Sequence, residues 1–148
     1  MIRSAIAVWR GGPGAGEGTV STSSGVISNA LYSFGSSIEN EPCTSPSEML
    51  AAAVASCISL MIAQEMAKAG LKAGEVRTES FLKLEAKKGR WKITGIDLSV
   101  SADLTQGDAE KFRQASKKAR AKCPISQALK VPIKLTTRLQ APLSATAA

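Results

Sequence analysis

Three cysteines, Cys43, Cys57 and Cys123, are the thiol chemistry available to this chain, and it contains no histidine to activate any of them. Ser–His and Cys–His catalysis are therefore excluded. A zinc site would need all three thiols and a carboxylate as well. A nucleophilic thiol here has to be activated by a neighbouring charge, a helix terminus or a carboxylate. Cys123 sits in KARAKCPISQAL, residues 118–129, where a basic run ends and a proline follows. Pro124 suits the first position of a helix, which makes Cys123 its cap. A thiolate there would face unpaired backbone N–H groups, with Lys118, Arg120 and Lys122 adding positive field. The competing reading is a capping residue with no reactivity. Cys57 lies in AAAVASCISLM, where composition alone suggests a small buried hydrophobe. Cys43, in the loop ENEPCTS, reads as an idle surface thiol.

The elements that position these thiols follow from patterning. In TSPSEML, Ser45 can cap, Pro46 fits the first helical turn and Glu48 completes an S-x-x-E capping box. A helix is expected from there to Gly70. Its first two thirds are apolar on nearly every side, so it is a helix to be surrounded. One sheet covers one face only, and a second copy of the chain is expected on the other. The uncharged run 49–63 falls short of the about 20 residues that span a bilayer, so no membrane role is expected.

Before this helix, IRSAIAVW, GTVSTSSGVIS and LYSFGSSIE read as short strands, with GGPGAGEG as a hairpin loop. A phosphate-cradling loop would have to lead into a helix instead. After it, residues 75–104 form two alternating segments about the turn KKGR (87–90). Leu82 and Leu84 share one face, and Ile96, Leu98, Val100 and Ala102 share another. Thr105 is then expected to cap the polar helix QGDAEKFRQASKKARAK, whose acids come early and bases late. A short helix starts at Pro124, and VPIKLTTRLQ alternates as a last strand. PLSATAA is the one candidate low-complexity tail. The class is α+β, a single domain over 1–148 with a mainly antiparallel sheet.

The formal charge of +7 would suit an acidic partner, with residues 111–122 as the basic face. Few aromatics accompany it, and an ordinary solvated helix is the better reading, so nucleic acid is not expected as a partner. MIRSAIAVWR is too short and too weakly apolar for a signal segment. An odd count of three cysteines does not suit a secreted disulfide framework. A soluble, cytoplasmic protein is expected.

Taken together, SPSEMLAAAVASCISLM and CPISQAL resemble the OsmC/Ohr family of thiol peroxidases. The opening W-R-G, G-T-V-S-T-S-S-G-V and YSFG are more similar to its OsmC branch, and the likeness runs from Val8 to Leu139. The resemblance implies an intertwined α+β homodimer whose long central helices pack together, with sites at the subunit interface. It implies that Cys57 is the peroxidatic cysteine and Cys123 the resolving one. A hydroperoxide, organic or hydrogen peroxide, would be reduced through a Cys57 sulfenic acid and a Cys57–Cys123 disulfide, recycled by a dithiol of lipoyl type. No cofactor or metal is implied. The family's activating carboxylate follows the helix-opening proline, where this chain has Ser47, with Glu48 one residue later. Its activating arginine corresponds to Ser37 on one branch's pattern and approximately to Gly16 on the other's. Glu48 and Arg10 are the candidate substitutes. The alternative function is a redox sensor or small-molecule-binding dimer that forms the disulfide with little turnover.

Overall fold

The computed structural model describes residues 1–12, 16–33, 37–38, 41–105 and 108–140. Contacts divide the chain into two compact units, 1–50 and 51–148. In the first, β1 (Ala5–Arg10) and β2 (Glu17–Thr22) pair antiparallel, from Ala5 opposite Thr22 to Arg10 opposite Glu17. The strands that flank the glycine-rich run are thus paired as the arms of a hairpin, while 13–15 of that run lie outside the described residues. The second strand is shorter than expected. It stops at Thr22 because Gly25, at φ 75°, turns the chain back and donates its N–H to the Thr22 carbonyl. β3 (Ala30–Tyr32) then joins β2, also antiparallel. Gly18 stands opposite Tyr32, and a Cβ there would fall 2.4 Å from the Tyr32 ring. The missing side chain is what lets Tyr32 lie across β2, with the Trp9 ring centroid 5.9 Å away. Two-residue strands β4 (Ser37–Ile38) and β5 (Glu41–Pro42) pair with each other.

Helix α1 (Pro46–Lys68) opens on the expected capping box and ends two residues before Gly70. Glu48 N–H donates to Ser45 Oγ at 3.2 Å, and the Glu48 carboxylate accepts from Ser45 N–H at 3.1 Å. The second unit is built on the rest of α1. Val54, Ile58, Ile62 and Met66 recur every fourth residue and are buried. They belong to one core cluster with Ile96, Leu98, Val100, Phe112, Ala115, Ala119 and Cys123. Each large apolar side chain fully buried there contributes about 1.5–3 kcal/mol. By length and composition α1 could also cross a membrane, since its most apolar window has a mean hydropathy of 1.6. The 15-residue charge-free run understated this, because the helix continues well past that run. Only 28% of the window is buried among the described residues, and Leu60 within it is 61% exposed.

β6 (Val76–Lys87) and β7 (Arg90–Ala102) form the expected antiparallel hairpin. Lys88 at φ 51° and Gly89 at φ 74° make a two-residue turn with both central residues left-handed. Ile96, Leu98, Val100 and Ala102 all point into the core. Leu84, expected to share the face of Leu82, is instead 43% exposed. Lys83 pairs with Gly95 but Leu84 pairs with Ile93, so β7 carries one extra residue, Thr94, and the bulge breaks the alternation. Whereas the other strand pairs among the described residues are antiparallel, β8 (Ile133–Leu139) runs parallel to β7. Between them lie α2 (Ala109–Lys122) and α3 (Pro124–Ala128), and a helical crossover of this kind returns the chain in the same direction. Asp108, not Thr105, occupies the N-cap of α2, and its side chain makes no cap bond. Thr105 Oγ1 donates to the Asp108 carboxylate at 2.8 Å instead. The candidate tail 142–148 lies outside the described residues.

Candidate active site

Sixty-six residues separate Cys57 and Cys123 in sequence, yet their sulfurs are hydrogen-bonded at 2.8 Å. Each is placed by a different local rule. Cys57 occupies mid-α1 beside the stripe residue Ile58 and is half-buried. Cys123 closes α2, where its N–H donates to the Ala119 carbonyl, and caps α3, where its sulfur accepts from Ser126 N–H at 3.5 Å. Pro124 at the first position of α3 permits that double duty, as its ring supplies no N–H to satisfy. Cys123 is wholly buried. Access from solvent is thus through Cys57.

The two sulfurs are joined by a hydrogen bond, and their surroundings act on them unequally. Burial is the largest influence on Cys57 and raises its pKa; the hydrogen bond with Cys123 raises it further, against a lowering effect of the Ile125 backbone. Burial is also the largest influence on Cys123 and opposes its ionisation. The hydrogen bond with Cys57, the Ser126 hydroxyl and backbone and the Ile125 backbone outweigh it, so the Cys123 pKa is lowered. The buried Ser126 hydroxyl has no hydrogen-bond partner among the described residues, so it acts on Cys123 as a nearby dipole. Negative charge on the pair therefore settles first on Cys123, where backbone N–H groups meet it. Among the described residues no three of His, Cys, Asp and Glu converge as metal ligands.

Comparison with known proteins bears on this geometry. The OsmC-like protein family model matches residues 39–138, which include both cysteines. The chain is also 35% identical over 132 residues to Peroxiredoxin OsmC of Escherichia coli K12, covering 89% of this chain and 92% of that one, and equally to Peroxiredoxin OsmC of Shigella flexneri. The chain belongs to the OsmC-like family. Its fold agrees with solved members. An OsmC-like protein of unknown function from Vibrio cholerae superposes with a TM-score of 0.77 at 17% identity, over 93% of this chain and 99% of that one. The organic hydroperoxide resistance protein OhrB of Bacillus subtilis gives 0.69 at 22%, over 93% and 98%. As an OsmC-like protein the chain is a cysteine-based peroxidase.

The remaining candidate residues of this OsmC-like protein fall as follows. The Glu48 carboxylate is held by the capping box and also accepts from Thr44 Oγ1 at 3.2 Å. Ser47 Oγ shares a hydrogen bond with Ser45 Oγ at 3.0 Å. Arg10 ends β1 and is exposed. Cys43 is half-buried, next to the bridge that joins Thr44 to Tyr32. Lys122, expected to add field at Cys123, turns elsewhere. Its Nζ lies 2.8 Å from Glu65 Oε1, and the largest influences that lower the Cys123 pKa are hydrogen bonds and backbone dipoles. Glu65 itself, 5% exposed on α1, was not among the sequence candidates. The one signal was an acid at a position that continues the buried stripe of α1. Arg113 on the basic face of α2 donates to the Glu110 carboxylate through Nε and Nη2.

Proposed function

We propose that this protein reduces organic hydroperoxides, with hydrogen peroxide as a second candidate substrate, using Cys57 as the peroxidatic and Cys123 as the resolving thiol. The observation that carries the proposal is the 2.8 Å approach of a half-buried sulfur to a fully buried one. When the pair is singly ionised, the proton stays with Cys57 in preference to Cys123. The proton crosses to Cys123, and the Cys57 thiolate attacks the distal peroxide oxygen, breaking the O–O bond. The departing alkoxide takes the proton from Cys123 and leaves as alcohol. Cys123, again a thiolate, attacks the sulfur of the Cys57 sulfenic acid, forms the S–S bond and expels hydroxide. A dithiol then reduces the disulfide by exchange and is itself oxidised to a cyclic disulfide. A lipoyl-type dithiol fits this chemistry.

The proposal includes a cytoplasmic homodimer, in which a second copy covers exposed apolar surface of α1 such as Leu60. Glu48 and Arg10 are retained as the candidate orienting charges of residues 1–50. One observation favours the alternative, a redox sensor with little turnover: within 51–148 no cation offsets the burial of Cys57. Peroxide consumption with a dihydrolipoyl reductant separates the two, using cumene hydroperoxide against hydrogen peroxide. Rapid multiple turnover, abolished by Cys57→Ser, is the expected result. A single stoichiometric oxidation to the 57–123 disulfide would identify the sensor.

A further inference from the structure

Glu65 is a buried acid on a helix face otherwise filled by Val54, Ile58, Ile62 and Met66. An apolar side chain there would avoid the cost of taking a carboxylate out of water. Its Oε1 accepts from two lysines, Lys68 and Lys122, each at 2.8 Å. Hydrogen bonds from Lys122 first, and then Lys68, hold the carboxyl at a pKa of about 2 against its burial, so it stays ionised. The two lysines differ in what they connect. Lys68 lies one turn further along α1 itself, whereas Lys122 is the last residue of α2 and the residue before Cys123.

Two successive residues of the α2–α3 junction are therefore fastened to α1. Lys122 is tied to Glu65, and Cys123 meets Cys57, eight residues and about 12 Å of helix axis from Glu65. A junction held at one point only could pivot or slide. Fastened at Glu65, it presents the Cys123 sulfur to Cys57 before any covalent bond exists.

We propose that Glu65, acting through Lys122, is a positioning residue for the thiol pair: it sets the effective concentration of Cys123 at Cys57. The proposal rests on the reading that these two cysteines cycle through a disulfide. Restricting the reduced state in this way favours the closed form, because less chain entropy is lost when the bond forms.

The test is the equilibrium of the 57–123 disulfide in the intact protein against a dithiothreitol redox buffer, scored by peptide mass mapping. Peroxide plays no part in it. Lys122→Met, an exposed position that keeps most of the aliphatic stem, and Glu65→Gln should each lower the disulfide formation constant about tenfold, the scale of one charge-assisted hydrogen bond. That makes the couple about 30 mV less reducing. Lys122→Arg should restore it to within about twofold. Lys68→Met removes an equal ion pair from Glu65 without touching α2, and should leave the constant unchanged. Equal shifts in Lys68→Met and Lys122→Met, or no shift in Lys122→Met and Glu65→Gln, would overturn the positioning role. Failure of the wild type to form a 57–123 disulfide in the same buffer would instead overturn the functional reading beneath it.

Discussion

Oxidising Cys57 and Cys123 to a disulfide should raise the stability of the fold by about 4 kcal/mol. The magnitude follows from the 66-residue separation of the two cysteines. Closing a loop of that size removes about 14–15 cal/mol/K of entropy from the unfolded chain, or about 4 kcal/mol at 25 °C. Strain in the folded state would subtract from this. Little is expected, because the sulfurs already stand 2.8 Å apart with Cys123 fixed at both the end of α2 and the start of α3. With a urea m-value of about 2 kcal/mol/M, the midpoint should rise by about 2 M. The assay is urea unfolding by far-UV circular dichroism of the reduced protein and of protein given one equivalent of cumene hydroperoxide. Both are held at one protein concentration, because self-association would add its own stability. Peptide mapping identifies the link. An unchanged or lowered midpoint with the 57–123 bond in place would mean that the bond distorts the fold and that the thiols are not poised to join. A link through Cys43 would remove Cys123 from its role altogether.

Two further outcomes follow from the same geometry. Burial and the bond to Cys123 hold the Cys57 proton above the ordinary thiol range, so iodoacetamide labelling of Cys57 should be slow at neutral pH and climb into the alkaline range; Cys123→Ala removes two of the raising influences and should move the profile to lower pH, whereas a wild-type Cys57 fully labelled at pH 6 would refute the assignment. Leu60, 61% exposed on α1, belongs to the apolar surface assigned to a second copy; sedimentation should give about twice 15.4 kDa for the wild type and a shift toward monomer for Leu60→Glu, and a compact wild-type monomer at micromolar concentration would contradict the dimer.

Local rules made much of this structure legible. The capping box of Ser45 and Glu48, the hairpin turn at Lys88 and Gly89, and the cap at Cys123 each depend on residues within a few positions of one another. The alternation from Ile96 to Ala102 and the stripe from Val54 to Met66 are equally local. What the sequence hid was decided between segments. The extra residue at Thr94 shows only when β7 is laid against β6, and the direction of β8 depends on how α2 and α3 return the chain. The approach of Cys57 to Cys123 came into view through family resemblance, since nothing in either segment alone points to the other.

Lys122 shows how such a competition is settled. Adjacency in sequence assigns its charge to Cys123, one residue away. A carboxylate with 5% of its surface exposed has the stronger claim, because an unpaired buried charge is far more costly than an un-ionised thiol. The ammonium therefore goes to Glu65, and the acidity of Cys123 has to come from dipoles: the Ser126 and Ile125 backbone, the Ser126 hydroxyl and the Cys57 thiol. Charge and thiol are thereby separated in function. The cation fixes where the sulfur stands, and the turn of backbone beneath it fixes how readily that sulfur gives up its proton.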